Sequence, residues 1–165
     1  MAATRKKKQD DTAAYRQFRK ELADGALRPL YVFHGEEAYL RAHYLEQMRA
    51  KLIPEGLESF NEHRFAGKDL TVRALAEAVD ALPMMSERTL LVVQDYDLFK
   101  APEAERTLMT ELLSDLPDYC CLVFVYDTIE YKSDARMKKL TAAIAARGLV
   151  VPFRRQEQGD LIDWI

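Results

Sequence analysis

One run limits what this chain can become: "CCLVFVY", residues 120–126, is apolar at odd and even positions alike. Successive side chains on a strand point to opposite faces, so a strand of this composition must be covered on both. Two shorter runs share the property, "LYVF" at 30–33 and "TLLVV" at 89–93. Between the runs, apolar residues recur every three or four positions, the period of an amphipathic helix. Such stretches span 12–23 (Ala14, Phe18, Leu22), 37–52 (Leu40, Tyr44, Met48, Leu52), 71–81 (Val72, Leu75, Ala76, Val79), 102–115 (with Leu108, Leu112 and Leu116 in line) and 133–146 (Met137, Leu140, Ile144). Pro54 and Gly56 close the second helix, and Gly148 closes the last. "FNEHRF" at 60–65 reads as a weak, polar strand and "LVVPF" at 149–153 as the final one.

Strands alternating with helices imply right-handed βαβ units, hence an α/β fold around a parallel sheet of five strands. The three apolar strands belong in its middle, and the polar second and proline-bearing fifth suit its edges. Two spatial orders meet these conditions. One is 5-1-4-3-2, that of a P-loop NTPase core; the other is the flavodoxin-like 2-1-3-4-5.

With 165 residues, 48% of them hydrophobic, the chain can bury one ordinary core. A net charge of −3 gives no general reason to expect nucleic-acid binding. The exception is Arg5-Lys6-Lys7-Lys8, read as part of a flexible basic tail over 1–11, with 12–155 as the folded domain. A direct DNA contact through that arm is a minor alternative, recognisable by steep salt dependence. The first residues carry charge without the apolar run of a signal peptide, and no apolar stretch is long enough for a membrane span. Cys120 and Cys121 are sequence neighbours that a strand would send to opposite faces, so they read as separate buried thiols in a reducing cytoplasm. The ending "GDLIDWI" looks like the opening of a further helix capped by Asp160, so 156–165 is expected to begin another domain.

A nucleotide site can be tested position by position. A P-loop needs G-x-x-x-x-G-K-[ST] after the first strand, because backbone N–H groups wrap phosphate, lysine supplies charge and the hydroxyl holds Mg²⁺. Here the register opens at Gly35, then puts Leu40 at the second glycine, Arg41 at the lysine and Ala42 at the hydroxyl. Glu36 and Glu37 place negative charge where triphosphate would lie, although acids in a first helical turn also offset the helix dipole. Asp95 and Asp97 follow the third strand, but Gln94 stands where a metal-binding acid belongs, and both read as loop and turn acids. His34, His43 and His63 lack metal-ligand spacing, and no G-x-S-x-G motif is present. No catalytic residue, metal or cofactor is expected.

The segments "PLYVFHGEEAYL", "FNEHRFAGKDLT", "ALPMMSERTLLVVQDYDLF" and "DYCCLVFVYDT" resemble, in this order, the delta subunit family of bacterial DNA polymerase III, the clamp-opening subunit of the clamp loader. The resemblance runs over 28–165. It implies an AAA+-like domain with strand order 5-1-4-3-2, a degenerate nucleotide loop (Gly35, Glu36, Glu37, Leu40, Arg41) that does not bind ATP, and the first turns of a helical lid domain. It also implies a bacterial cytoplasmic protein of DNA replication that is non-catalytic in this domain, although the holoenzyme is a DNA-directed DNA polymerase. The implied partners are the sliding clamp (the beta subunit), other clamp loader subunits through a C-terminal domain absent from these residues, and primed DNA in the full complex. In the family a hydrophobic wedge before the third strand enters a pocket on the clamp and opens the ring. The matching positions here are Leu82, Pro83, Met84 and Met85, with methionines where many relatives carry an aromatic residue or leucine.

The residues themselves make that segment conspicuous. The stripe Val72, Leu75, Val79 continues in phase to Leu82, so Leu82 is expected partly in the core. Pro83 breaks the helix and biases Leu82 away from helical geometry. Met84 and Met85 fall off the stripe, either as packing under the helix end or as an exposed, adaptable apolar plug rimmed by Ser86, Glu87 and Arg88. Against this stands a divergent P-loop hydrolase using Arg41, Asp95 and Asp97.

Overall fold

The computed structural model describes residues 2–155. Helix α1 (Ala2–Asp24) leads into strand β1 (Leu30–His34), followed by α2 (Ala38–Leu52), a single turn α3 (Glu58–Asn61) and β2 (Glu62–Ala66). Then come α4 (Val72–Asp80), β3 (Thr89–Gln94), α5 (Glu103–Ser114), β4 (Cys120–Val125), α6 (Lys138–Arg147) and β5 (Gly148–Pro152). The five strands form one sheet in the order β2-β3-β4-β1-β5, and every pairing is parallel. Counted from the other edge, this is 5-1-4-3-2, and the flavodoxin-like order falls. The polar β2 and the proline-bearing β5 are the edges.

The period-two alternation sorts the core into two layers. Leu30, Val32, Leu91, Val93, Cys120, Leu122 and Phe124 face α4, α5 and α6. Tyr31, Phe33, Leu90, Val92, Cys121 and Val123 face α1 and α2. The two cysteines thus lie in different layers, both buried and unbridged. On the second side, Phe18 of α1 is fully buried, with its ring edge-on to Phe33 (5.1 Å), Tyr31 (5.3 Å) and Tyr44 (5.7 Å). This aromatic cluster docks α1. Beside it Glu21, also buried, accepts from the Tyr31 hydroxyl (2.6 Å) and from Arg28. Burial alone would raise its carboxyl pKa, but the hydrogen bonds from Arg28, Tyr31 and Gln17 outweigh it and hold it below the usual range.

Three local expectations change. The basic run forms part of the opening turns of α1, which starts at Ala2 and not at residue 12. Ala, Arg, Lys and Gln are strong helix formers, and they extend a helix already anchored by Tyr15, Phe18 and Leu22. In α5 the buried face carries Met109 and Leu113, and Leu108 is exposed, one residue out of the phase expected. Phe60 and Asn61 belong to the turn α3, and strand β2 starts only at Glu62.

Candidate functional site

The segment between α4 and β3 lies at the N-terminal ends of the strands. Thr71 caps the start of α4 by accepting from Ala74 N–H (3.1 Å), and at the other end the Tyr119 hydroxyl donates to Asp80 O (2.8 Å). The chain then leaves the helix, and Pro83 forbids its continuation. Leu82 is 72% exposed, Met84 56% and Met85 86%. The buried stripe therefore ends at Val79, and the expected core role of Leu82 does not hold: α4 stops at Asp80, which swings Leu82 off the packed face.

These apolar side chains stand on a braced backbone. Asn61, fully buried, accepts from Met84 N–H through Oδ1 (2.7 Å) and donates through Nδ2 to Met84 O (2.9 Å) and Leu57 O (3.1 Å). Ser86 Oγ reaches the carbonyls of Leu52 (3.3 Å) and Arg88 (3.0 Å). The Arg88 guanidinium closes the loop by donating to Leu27 O (2.7 Å), Arg28 O (3.2 Å) and Cys120 O (3.0 Å). Met85 sits in the left-handed region at φ 56°, a conformation costing a side-chain-bearing residue about 1 kcal/mol or more. Such strain persists only where the surroundings impose it. Ser86 and Arg88, expected as a polar rim, serve as fasteners. In the sequence Asn61 falls inside the expected strand 60–65 and carries no site signal beyond the preference of asparagine for turns over strands.

The opposite end of the sheet holds the loop tested for nucleotide binding. Gly35 has φ 111°, and a Cβ there would collide with the backbone of Phe153. That strand extension is tied down on both sides: Phe153 N–H donates to His34 O (2.7 Å) and Glu37 N–H to Phe153 O (3.0 Å). Leu40 is buried. Arg41 is also buried and turned inward, donating to Gly35 O and to Asp127 Oδ1 (2.7 Å). Glu36 accepts from Arg155 N–H (3.0 Å).

Asp95 is equally engaged. Its carboxylate accepts from the N–H groups of Asp127 (2.7 Å) and Thr128 (3.0 Å) and from the Thr128 hydroxyl (2.8 Å). Burial works against ionisation, yet these donors keep its carboxyl below the usual range. Asp97 accepts from Lys100 N–H (3.3 Å), a local turn contact. Both acids are structural in this arrangement. A cleft of about 570 Å³ opens here between His34, Glu36, Asp127, Tyr131 and Arg154. Burial, seconded by Arg154, pushes the His34 imidazole down to about 4. His43 and His63 lie on α2 and β2, and no group of three His, Cys, Asp or Glu side chains among the described residues is arranged to hold a metal ion.

The sheet order and its helical layers define an α/β domain around a five-stranded parallel sheet, with Leu40 and Arg41 buried beside the loop after β1. Residues 31–153 match the family described as DNA polymerase III, delta subunit. The chain belongs to that family, which serves clamp loading in DNA replication. The DNA polymerase III subunit delta of Bacillus subtilis (strain 168) is 26% identical over 151 residues, covering 88% of this chain and 43% of that protein. Among solved structures, the Bacillus subtilis DNA clamp loader delta protein superposes with a TM-score of 0.73 at 20% identity, over 91% of this chain and 45% of that one. A DNA polymerase III gamma subunit-related protein of Thermotoga maritima has the same fold more distantly, with a TM-score of 0.52 at 15% identity over 89% of this chain and 48% of that one. The chain thus spans less than half the length of these relatives. No helix among the described residues is long and apolar enough to cross a membrane.

Proposed function

We propose that this chain is the clamp-binding part of a bacterial clamp loader delta subunit. It engages the sliding clamp through Leu82, Pro83, Met84 and Met85 and opens the ring for loading onto primed DNA. The observation that carries the reading is the exposure of Leu82, Met84 and Met85 on a loop whose backbone is pinned from behind. An apolar anchor that enters a partner's pocket is the usual form of a binding hot spot, and methionine adapts to the pocket it meets. Seating each methionine would contribute about 1.5–3 kcal/mol. Ring opening needs no hydrolysis here, in keeping with a first-strand loop whose Arg41 is spent on Gly35 and Asp127. Contacts with the other loader subunits would come through a C-terminal domain beyond these residues. The site of action would be the bacterial cytoplasm.

The test is capture of the cognate clamp by the full-length subunit, wild type against Met84→Ala/Met85→Ala. Loss of capture by a folded double variant is expected; retention would remove the site assignment. A parallel ATP titration should show no saturable binding. Micromolar, Mg²⁺-dependent affinity would favour the hydrolase reading instead.

A further inference from the structure

We infer that Asn61 is the positioning residue of the methionine loop, holding it in the presented conformation before any partner arrives. The inference rests on the clamp-binding reading above. Asn61 and Met84 lie 23 residues apart in sequence, yet the side-chain amide of one exchanges both an N–H···O and an O···H–N bond with the backbone of the other. This copies the reciprocal pair of an antiparallel ladder using a single side chain. The third bond, to Leu57 O, fixes the amide's orientation: both of its N–H groups meet carbonyls and its oxygen meets the one N–H available. No other residue type reproduces the set. Aspartate keeps the acceptor but sets charge against two carbonyls. Leucine fills the space and leaves Met84 N–H and O without their partner. Glutamine is one methylene too long for a fully buried site.

The consequence is a division of labour within one residue. The backbone of Met84 is anchored in the protein while its side chain stays in solvent, and Met85 beyond it is held at positive φ. A partner then meets a loop already ordered and does not bear the cost of ordering it. Apparent affinity scales with the fraction of molecules in the competent conformation. If loss of Asn61 leaves the loop presented in about one molecule in ten, clamp affinity falls about tenfold.

The experiment uses the full-length subunit and a fluorescently labelled cognate clamp, with Asn61→Ala, Met84→Ala/Met85→Ala, and Leu82→Ala/Met84→Ala/Met85→Ala with and without Asn61→Ala. Ile144→Val, a conservative change in the opposite core layer, serves as a mildly destabilised control away from the loop. Asn61→Ala is expected to weaken binding about tenfold, and Ile144→Val to leave it unchanged. On a background that carries Leu82→Ala with Met84→Ala/Met85→Ala, Asn61→Ala should cost no further binding, because Asn61 acts only through the loop. Amide hydrogen exchange supplies a readout without the clamp: the Met84 N–H should be protected in wild type and exposed in Asn61→Ala, with β3 amides still protected. Should Asn61→Ala fail to fold, Asn61→Asp retains one of the three bonds and should fall between wild type and the methionine pair. Wild-type binding by a folded Asn61→Ala or Asn61→Asp, alongside loss in the methionine pair, overturns the inference and leaves the clamp reading standing. A further loss from Asn61→Ala on the background lacking Leu82, Met84 and Met85 side chains also overturns it. Wild-type binding by the methionine pair removes both.

Discussion

The two ends of the sheet solve opposite problems. At the C-terminal ends of the strands, the charged groups after β1 are engaged by the chain itself: buried Arg41 of α2 by Gly35 and Asp127, exposed Glu36 by Arg155 N–H, with Asp95 alongside gathering the turn after β4. At the N-terminal ends, the loop before β3 spends its backbone on internal bonds and leaves apolar side chains outside. A ligand site for phosphate needs unsatisfied donors; a docking site needs unsatisfied apolar surface on an ordered frame. On the clamp-binding reading proposed above, the docking end and the engaged loop after β1 are independent, because the two loops share neither residues nor strand ends.

The largest effect tests the docking end. Met84→Ala/Met85→Ala should cost about 3–6 kcal/mol of clamp binding, two to four powers of ten, with almost no change in thermal midpoint. Equal losses of affinity and stability would mean that the methionines are packing residues and would erase the contrast between the ends. Next, Gly35→Ala should destabilise folding by at least about 3 kcal/mol in urea titration, since it combines a forbidden φ with collision against Phe153. The folded fraction should bind clamp as wild type does; a loss there would show that the ends communicate.

His34 comes third. Its folded pKa, pushed down to about 4, lies below the ordinary value near 6.5, so the unfolded chain takes up the proton more readily. Stability from this group is complete above pH 6.5 and is lost progressively as pH falls toward 4, by up to about 3 kcal/mol. Lowered carboxyl values at Glu21 and Asp95 act in the same direction at lower pH. His34→Phe should therefore flatten the stability profile between pH 6.5 and 4.5 without touching clamp affinity; an unchanged slope would assign the acid sensitivity to the carboxylates. The smallest effect is the control. Leu108 is 53% exposed, but on the regular face of α5, and Leu108→Ala should shift stability by no more than about 0.5 kcal/mol and binding not at all. Weakened binding there would mean that exposure alone, without a pinned loop, accounts for docking.

Much of this was legible in the residues. Runs such as "CCLVFVY" must be strands covered on both faces, and all five strands, the polar β2 included, lie within two residues of their expected positions at either end. Pro83 likewise marks Met84 and Met85 as off the buried stripe. Phase within α5 was harder: Leu108-Leu112 and Met109-Leu113 both have helical spacing, and only contact with the sheet selects the second pair. What local patterns cannot carry are bonds between distant residues. The turn after β4 takes its shape from Asp95, more than thirty positions earlier, and the methionine loop takes its shape from Asn61. Neither anchor has a periodic signature, so only the folded chain shows them.

The placement of Cys120 and Cys121 back to back on β4 has a practical use. Burial pushes both thiols up to about 12, so neither offers a thiolate to an alkylating reagent while the sheet is intact. One cysteine is sealed by each helical layer, and β4 is central. Peeling away α1 and α2 would unmask Cys121 alone, and loosening the other side Cys120 alone. Mass-resolved labelling of the native protein would therefore tell whether the molecule opens from one face, from the other, or all at once.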